Sequence, residues 1–356
     1  MLLPYVALIV AVLVIIVTLL PLIKRGRWWI RVCDYPRLQI GFFGLLALAG
    51  LLLLEVPEGM KWPVAAALLA ALVYQFWLVI PFSPIFRSQV VRAEEGDDPY
   101  RVSILVANVL TPNRRADDLL KIICDADADI VLVLEPDDWW QQKLDAIEED
   151  YPHTIKRPLD NTYGMLLYSK HPLIEPECRF LVAEGIPSFR AFLELPSGDR
   201  VRFHGLHPNP PQVGLDTVGR DAELVIVARE IQGHSEPVIV AGDMNDVAWS
   251  HTTRLFLRLS SMMDPRIGRG LYSTYNAKIP FFRWPLDHVF HSSSFRLLSL
   301  KRLPYFGSDH FPLYCELLLD HSVHEEHEPP EPALEDHHEA RRMIEEGKND
   351  ESLKLN

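Results

Sequence analysis

Three stretches of the N-terminal quarter are almost free of polar residues. Residues 2–23 run without a charge, 38–54 repeat the pattern, and 62–82 do so a third time. A helix of about 20 apolar residues matches the hydrocarbon thickness of a bilayer, and the second run is at the short end of that range. The pattern predicts three transmembrane helices. A cleaved signal peptide fits the first run poorly, because no Lys or Arg precedes it, it is long, and two more runs follow.

Beyond Tyr100 short apolar runs alternate with polar, periodic segments. Strands are predicted over 101–107, 130–134, 164–168, 189–195, 201–206, 238–241, 286–291 and 311–318, and helices over 115–125, 139–149 and 215–232. In the last helix Leu215, Val218, Ala222 and Val225 form an apolar stripe. Strands and helices interleave, but several strands follow one another directly in the middle. That mixture favours a layered α/β sandwich over a purely parallel doubly wound sheet. A polar, acidic linker at 93–99 precedes this domain of residues 100–320. The tail, 321–356, is rich in Glu, His and Pro, and its composition predicts disorder, with its histidines solvated rather than metal-binding.

Charge refines this picture. The loop between the first two apolar runs holds Lys24, Arg25, Arg27, Arg31 and Arg37, whereas the second loop holds Glu55, Glu58 and Lys61. By the positive-inside bias the first loop and the C-terminal domain are expected on the cytoplasmic side. The formal net charge is −13. Residues 1–99 carry 8 basic and 7 acidic residues, the domain 23 and 30, and the tail 4 and 11. A net acidic domain does not resemble a general nucleic-acid binder, whose affinity rests on neutralising phosphates. Cys33, Cys124, Cys178 and Cys315 are far apart and imply neither a zinc site nor a disulfide framework.

Candidate chemistry sits where apolar strands stop. The strands end at Asn108, at Glu135, at His207 and at Gly242-Asp243-Met244-Asn245; Asp287 opens another, and Ser308-Asp309-His310 precede the last. Strand ends are where open α/β architectures build sites. Each residue alone has an ordinary role: Asn108 as a cap, Glu135 before Pro136 as a helix start, Asp243 and Asn245 in an Asx-turn, His310 as a buried histidine. Together they supply carboxylates and amides with few histidines, a donor set that suits Mg²⁺ or Mn²⁺. Such an ion polarises a phosphoryl oxygen, and a His–Asp pair positions or activates water.

At this point the chain resembles the endonuclease/exonuclease/phosphatase (DNase I-like) superfamily. The carrying pieces, in order over about 100–320, are Ala107-Asn108-Val109, Val133-Leu134-Glu135-Pro136, the 164–170 segment, Leu206-His207-Pro208, Val240-Ala241-Gly242-Asp243-Met244-Asn245-Asp246, Leu286-Asp287-His288-Val289-Phe290 and Gly307-Ser308-Asp309-His310-Phe311-Pro312-Leu313. Val109 and Met244 stand where many members carry an aromatic residue.

The resemblance implies a four-layer α/β sandwich and one-step, in-line attack of water on a phosphate ester. It implies Glu135 as principal metal ligand with Asn108 beside it, and Asp309 completing the site. Asp243 would orient the attacking water or take its proton, and Asn245 would hold a phosphate oxygen. His310, paired with Asp287, would bind the scissile phosphate, and His207 would sit near the leaving group. His204 competes with His207 for that place, but Pro208 ends the strand directly after His207. Lys170 and Arg190 are candidate phosphate contacts or plain surface charges. The substrate implied is nucleic acid or, at a bilayer, a phospholipid or inositol phosphate; a non-catalytic membrane scaffold with the same fold is the remaining alternative. With its apolar runs the chain reads as a membrane-anchored member of bacterial type, in an inner membrane.

Overall fold

The computed structural model describes residues 2–93 and 99–350; residues 94–98 of the predicted linker lie outside the described residues. The apolar runs form α1 (Leu3–Leu19), the short α2 (Trp28–Arg31), α3 (Arg37–Leu53) and α4 (Glu58–Val79). Leu3–Ile23 and Glu58–Phe82 are long and apolar enough to cross a membrane, and Trp28–Asp34 with Arg37–Leu53, bent by 74°, makes a third span if the pair is taken as one. Ala11 and Val14 of α1, Ile40 and Ala47 of α3, and Leu68 and Leu72 of α4 share one core. A Cβ on Gly44 would lie 2.7 Å from Leu72 Cδ2 and 3.2 Å from Val14 Cγ1, so a small residue lets the three helices close up, as membrane bundles require. The outward faces present Leu13, Phe42, Leu46 and Val73.

The domain adds, in chain order, β1 (Arg101–Asn108), α5 (Ala116–Ala126), β2 (Ile130–Leu134), α6 (Asp138–Leu144), β3 (His153–Arg157), β4 (Met165–Ser169), β5 (Leu173–Arg179), β6 (Ser188–Glu194) and β7 (Arg200–Leu206). There follow α7 (Val218–Ile231), β8 (Val238–Asp243), α8 (His251–Ser260), β9 (Asp287–His291), β10 (Phe295–Arg302), β11 (Leu313–Leu319) and α9 (Leu334–Asn349). One sheet has the order β10-β11-β1-β2-β4-β3, the other β5-β6-β7-β8-β9. Alternate residues of both sheets, among them Ile104, Leu132, Phe203 and Ile239, bury into a shared core. Leu119 and Trp140 cover the outer face of the first sheet. Val225 and Phe256 cover that of the second. The result is the expected four-layer α/β sandwich, preceded by apolar helices.

The tail differs from its expectation. Where composition predicts disorder, residues 334–349 form α9 against α7 and α8. Its few apolar residues share one face, so Ala340 and Met343 join the core around α7. Asp336 receives Arg258 through two bonds of 2.8 Å, and Glu339 meets His251 at 2.8 Å. Average composition hides a stripe this narrow.

Candidate active site

The topology brings distant residues together. β1 and β2 run parallel with Asn108 beside Leu134, so Asn108 reaches the rim next to Glu135. β7 and β8 do the same in the second sheet, with Leu206 beside Gly242, which brings His207 next to Asp243. β9 is antiparallel to β8 and pairs Asp287 with Asp243. The segment entering β11 passes the end of β1, where Ser308 Oγ donates to the Asn108 carbonyl at 2.7 Å. Gly242 has φ 144°, and a Cβ there would sit 1.9 Å from the Leu206 carbonyl oxygen. Only glycine lets β8 lie this close to β7 just before Asp243. Glu135 and Asn245 take left-handed φ values of 63° and 49°, breaking the strand direction at the rim.

Side-chain contacts then tie the two sheets together. Asn108 Nδ2 donates to Glu135 Oε1 at 2.8 Å and to Asp243 Oδ2 at 3.2 Å. Its Oδ1 accepts the Leu110 N–H at 3.0 Å, which fixes the amide's orientation. The Asn245 N–H donates to Asp243 Oδ1 at 2.9 Å, and its Nδ2 to the Pro208 carbonyl at 2.9 Å. His310 Nδ1 meets Asp287 Oδ2 at 2.7 Å, and its Nε2 lies 3.5 Å from Asp243 Oδ2. His207 Nε2 is 4.0 Å from Glu135 Oε1.

Charge in this rim is unevenly compensated. Burial raises the Glu135 carboxyl; Asn108 and His310 oppose this, Asp243 and Asp309 reinforce it, and the value is pushed up to about 7. Burial also raises Asp243, with His310 opposing. Burial disfavours a charged His310, but Asp287 and Asp243 outweigh it and push it up to about 10. Burial takes His207 down to about 4, so it is a neutral imidazole. Asp243, Asp287 and His310 lie close enough to hold a metal ion. Both ring nitrogens of His310 are turned to carboxylates of this trio, Nδ1 to Asp287 and Nε2 to Asp243. Glu135 and Asp309 form the open acidic side of the rim.

All eight residues expected at the site come together. Glu135, His207, Asp243, Asn245, Asp309 and His310 line one cavity of about 580 Å³; Asn108 and Asp287 stand directly behind Glu135 and His310. Three basic or imidazole candidates lie elsewhere. Lys170 pairs with Asp127 at 2.5 Å, and Arg190 with Glu177 at 2.9 Å. His204 is buried beside Arg179, Arg202 and Arg190. Sequence reasoning missed Tyr163, whose ring lies 5.7 Å from that of His207, and Tyr275, 4.9 Å from that of His310. It also missed Tyr35, between α2 and α3, whose hydroxyl donates to the Asn245 carbonyl at 2.5 Å, and Arg220, whose Nη1 reaches the same oxygen at 2.7 Å. Tyr35, Tyr275 and Arg220 adjoin no strand-end motif, and Tyr163 precedes the 164–170 segment, where no strand-end polar residue drew attention to it.

A profile of the Endonuclease/Exonuclease/phosphatase family matches residues 105–310, more than half of the chain. Among solved structures, D. rerio TDP2 complexed with a single-strand DNA product is similar at 19% identity and a TM-score of 0.52, over 61% of this chain and 98% of that one. The endonuclease/exonuclease/phosphatase from Bacteroides vulgatus is similar at 19% and 0.51, over 62% and 99%. ANGEL2, a 2',3'-cyclic phosphatase in complex with adenosine-2',3'-vanadate, is similar at 15% and 0.50, over 62% and 96%. At these identities the likeness is one of fold. No curated protein matches the chain.

Proposed function

The chain belongs to the endonuclease/exonuclease/phosphatase family, and we propose that it is a membrane-anchored, divalent-metal-dependent hydrolase of phosphate esters that works at the rim built by Asn108, Glu135, His207, Asp243, Asn245, Asp287, Asp309 and His310. Hydrolysis of phosphate-ester bonds is the activity of that family. The observation that carries the reading is the convergence of six of these side chains, from both sheets, on one cavity, with Asn108 and Asp287 bonded behind Glu135 and His310.

The donor chemistry fits a hard cation. Four carboxylates, Glu135, Asp243, Asp287 and Asp309, surround one cationic His310, and burial, reinforced by Asp243 and Asp309, pushes Glu135 up to about 7. Glu135 and Asp309 would hold Mg²⁺ or Mn²⁺, with Asn108 beside Glu135. The bound ion would polarise a phosphoryl oxygen and offset transition-state charge. The chain's own groups supply the rest. Asp243, fixed by the Asn245 N–H and Asn108, orients the attacking water and takes its proton. Protonated His310, held by Asp287, donates to a non-bridging oxygen of the scissile phosphate. Asn245 adds a neutral donor to the phosphate. His207, uncharged, serves the leaving-group side as a hydrogen-bond donor.

Anchoring rests on the apolar helices, and the cytoplasmic placement of the domain on the basic first loop. The test of the reaction is hydrolysis of bis-p-nitrophenyl phosphate by full-length protein. Glu135→Ala and His310→Ala are each expected to abolish it while leaving the thermal transition in place; two active variants would overturn the assignment. A C-terminal alkaline phosphatase fusion tests the orientation and is expected to be inactive; an active fusion would put the domain on the other side.

A further inference from the structure

The cavity lining is of two kinds. Glu135, His207, Asp309 and His310 make the polar one. Val32 and Pro36, from the elbow between α2 and α3, complete the other with Phe282, Trp284 and Leu286. The apolar N-terminal segment therefore forms part of the cleft itself. Beside these apolar lining residues the 278–284 loop exposes large apolar side chains, Ile279 at 48% and Phe281 at 52% of their surface. A soluble surface rarely presents such a patch without a partner. The Phe281 carbonyl accepts a hydrogen bond from Gln39 in the first turn of α3. Pro280 and Phe281 also share a depression with Leu38 and Gln39. The loop thus sits level with the point where α3 begins its exposed apolar face, Leu38, Phe42 and Leu46. Aromatic and aliphatic side chains at that level insert into the acyl boundary of a bilayer.

Resting on the phosphoesterase reading of this site, we propose that its substrate is a phosphate ester borne by a membrane amphiphile, which enters from the bilayer between the 32–36 elbow and the 278–284 loop. The ester lies against Glu135, Asp309 and His310, and the apolar stem against Val32, Pro36, Phe282 and Trp284. The reaction balances without a co-reactant other than water: a water oxygen bonds to phosphorus, the phosphorus–oxygen ester bond breaks, and the leaving oxygen takes up a proton and ends as an alcohol. The acidic domain disfavours the polyanionic alternative, a nucleic acid.

The experiment uses full-length protein in phosphatidylcholine vesicles doped in turn with phosphatidate, phosphatidylglycerol and phosphatidylinositol 4-phosphate. The same head groups on dihexanoyl chains, single-stranded DNA, and bis-p-nitrophenyl phosphate complete the comparison. The expected result is that a bilayer lipid is cleaved faster than its dihexanoyl analogue and faster than DNA. The double variant Ile279→Ser/Phe281→Ser should lower the lipid rate by roughly tenfold or more, because it weakens the loop's hold on the bilayer. It should leave bis-p-nitrophenyl phosphate cleavage within about twofold. The proposal is overturned if DNA or the dihexanoyl compounds are preferred, if the variant slows both reactions equally, or if no lipid is cleaved while bis-p-nitrophenyl phosphate is. If the wild type cleaves none of these, the underlying phosphoesterase reading falls, and the proposal with it.

Discussion

Replacing Tyr35 by phenylalanine removes a single oxygen from the elbow between α2 and α3 and tests whether the apolar segment helps to set the loop that carries Asp243 and Asn245. The Tyr35 hydroxyl and Arg220 Nη1 both donate to the buried Asn245 carbonyl, at 2.5 and 2.7 Å. Asn245 holds φ 49°, and its own N–H fixes Asp243. In Tyr35→Phe the ring keeps its edge-on contact with Trp284, 5.7 Å between centroids. The carbonyl loses one donor and retains the charged one, a loss of about 1–2 kcal/mol. If that free energy is spent on loop placement, the transition state loses it as well, which is roughly a tenfold fall in kcat. The assay is kcat and KM for bis-p-nitrophenyl phosphate in detergent, with a thermal transition on the same sample. The expected outcome is kcat reduced about five- to twentyfold with KM little changed. A purely structural role would lower the transition temperature and leave the turnover of the folded fraction alone. A kcat within about twofold of wild type, at an unchanged transition, would refute the reasoning.

Asp221 lies buried against three partners: Arg220 through bonds of 2.7 and 3.0 Å, Thr217 Oγ1 at 2.9 Å, and Arg31 Nη2 at 3.5 Å. Asp221→Asn leaves two buried guanidinium groups short of a counter-charge and is expected to cost about 3–5 kcal/mol, read as a large fall in thermal transition; a change below about 1 kcal/mol would show that the network is solvated. Glu223 is buried on α7, and burial, against the pull of Arg179, pushes its carboxyl up to about 8. The folded state therefore favours the protonated form, so this contribution to stability is complete below the ordinary carboxylate value and is lost as pH rises through about 8. Glu223→Gln should accordingly flatten the fall in thermal transition between pH 5 and 9, and parallel curves would contradict it.

Legibility in the sequence followed position in the fold. The eight predicted strands all form. The three missed ones, β3, β5 and β10, are edges of their sheets, where exposure dilutes the apolar signal; β5 is further broken by Pro176 and alternates toward solvent. The helix α8 begins His-Thr-Thr and stops at Ser261 in a left-handed conformation rather than at a glycine, so neither propensity nor a stop signal marked it. The polar rim was readable because central parallel strands end together, and a polar residue after an apolar run stands out. Tyr35 and Arg220 were not readable: their shared partner, Asn245, lies 210 and 25 residues away in the chain, and neither borders a strand end. The ordered tail escaped for a different reason, since a one-sided stripe of Ala340, Met343 and Gly347 vanishes in an average over 36 mostly polar residues.

If the proposed function is right, phosphate-ester hydrolysis depends on a divalent ion held beside Glu135. The direct measurement is the initial rate of bis-p-nitrophenyl phosphate hydrolysis by full-length protein stripped with EDTA and titrated with Mn²⁺, wild type beside Glu135→Ala. The expected result is no activity after stripping, a saturable return in the wild type, and none in the variant at the same Mn²⁺. Hydrolysis that survives stripping, or superimposable titrations for the two proteins, would contradict it.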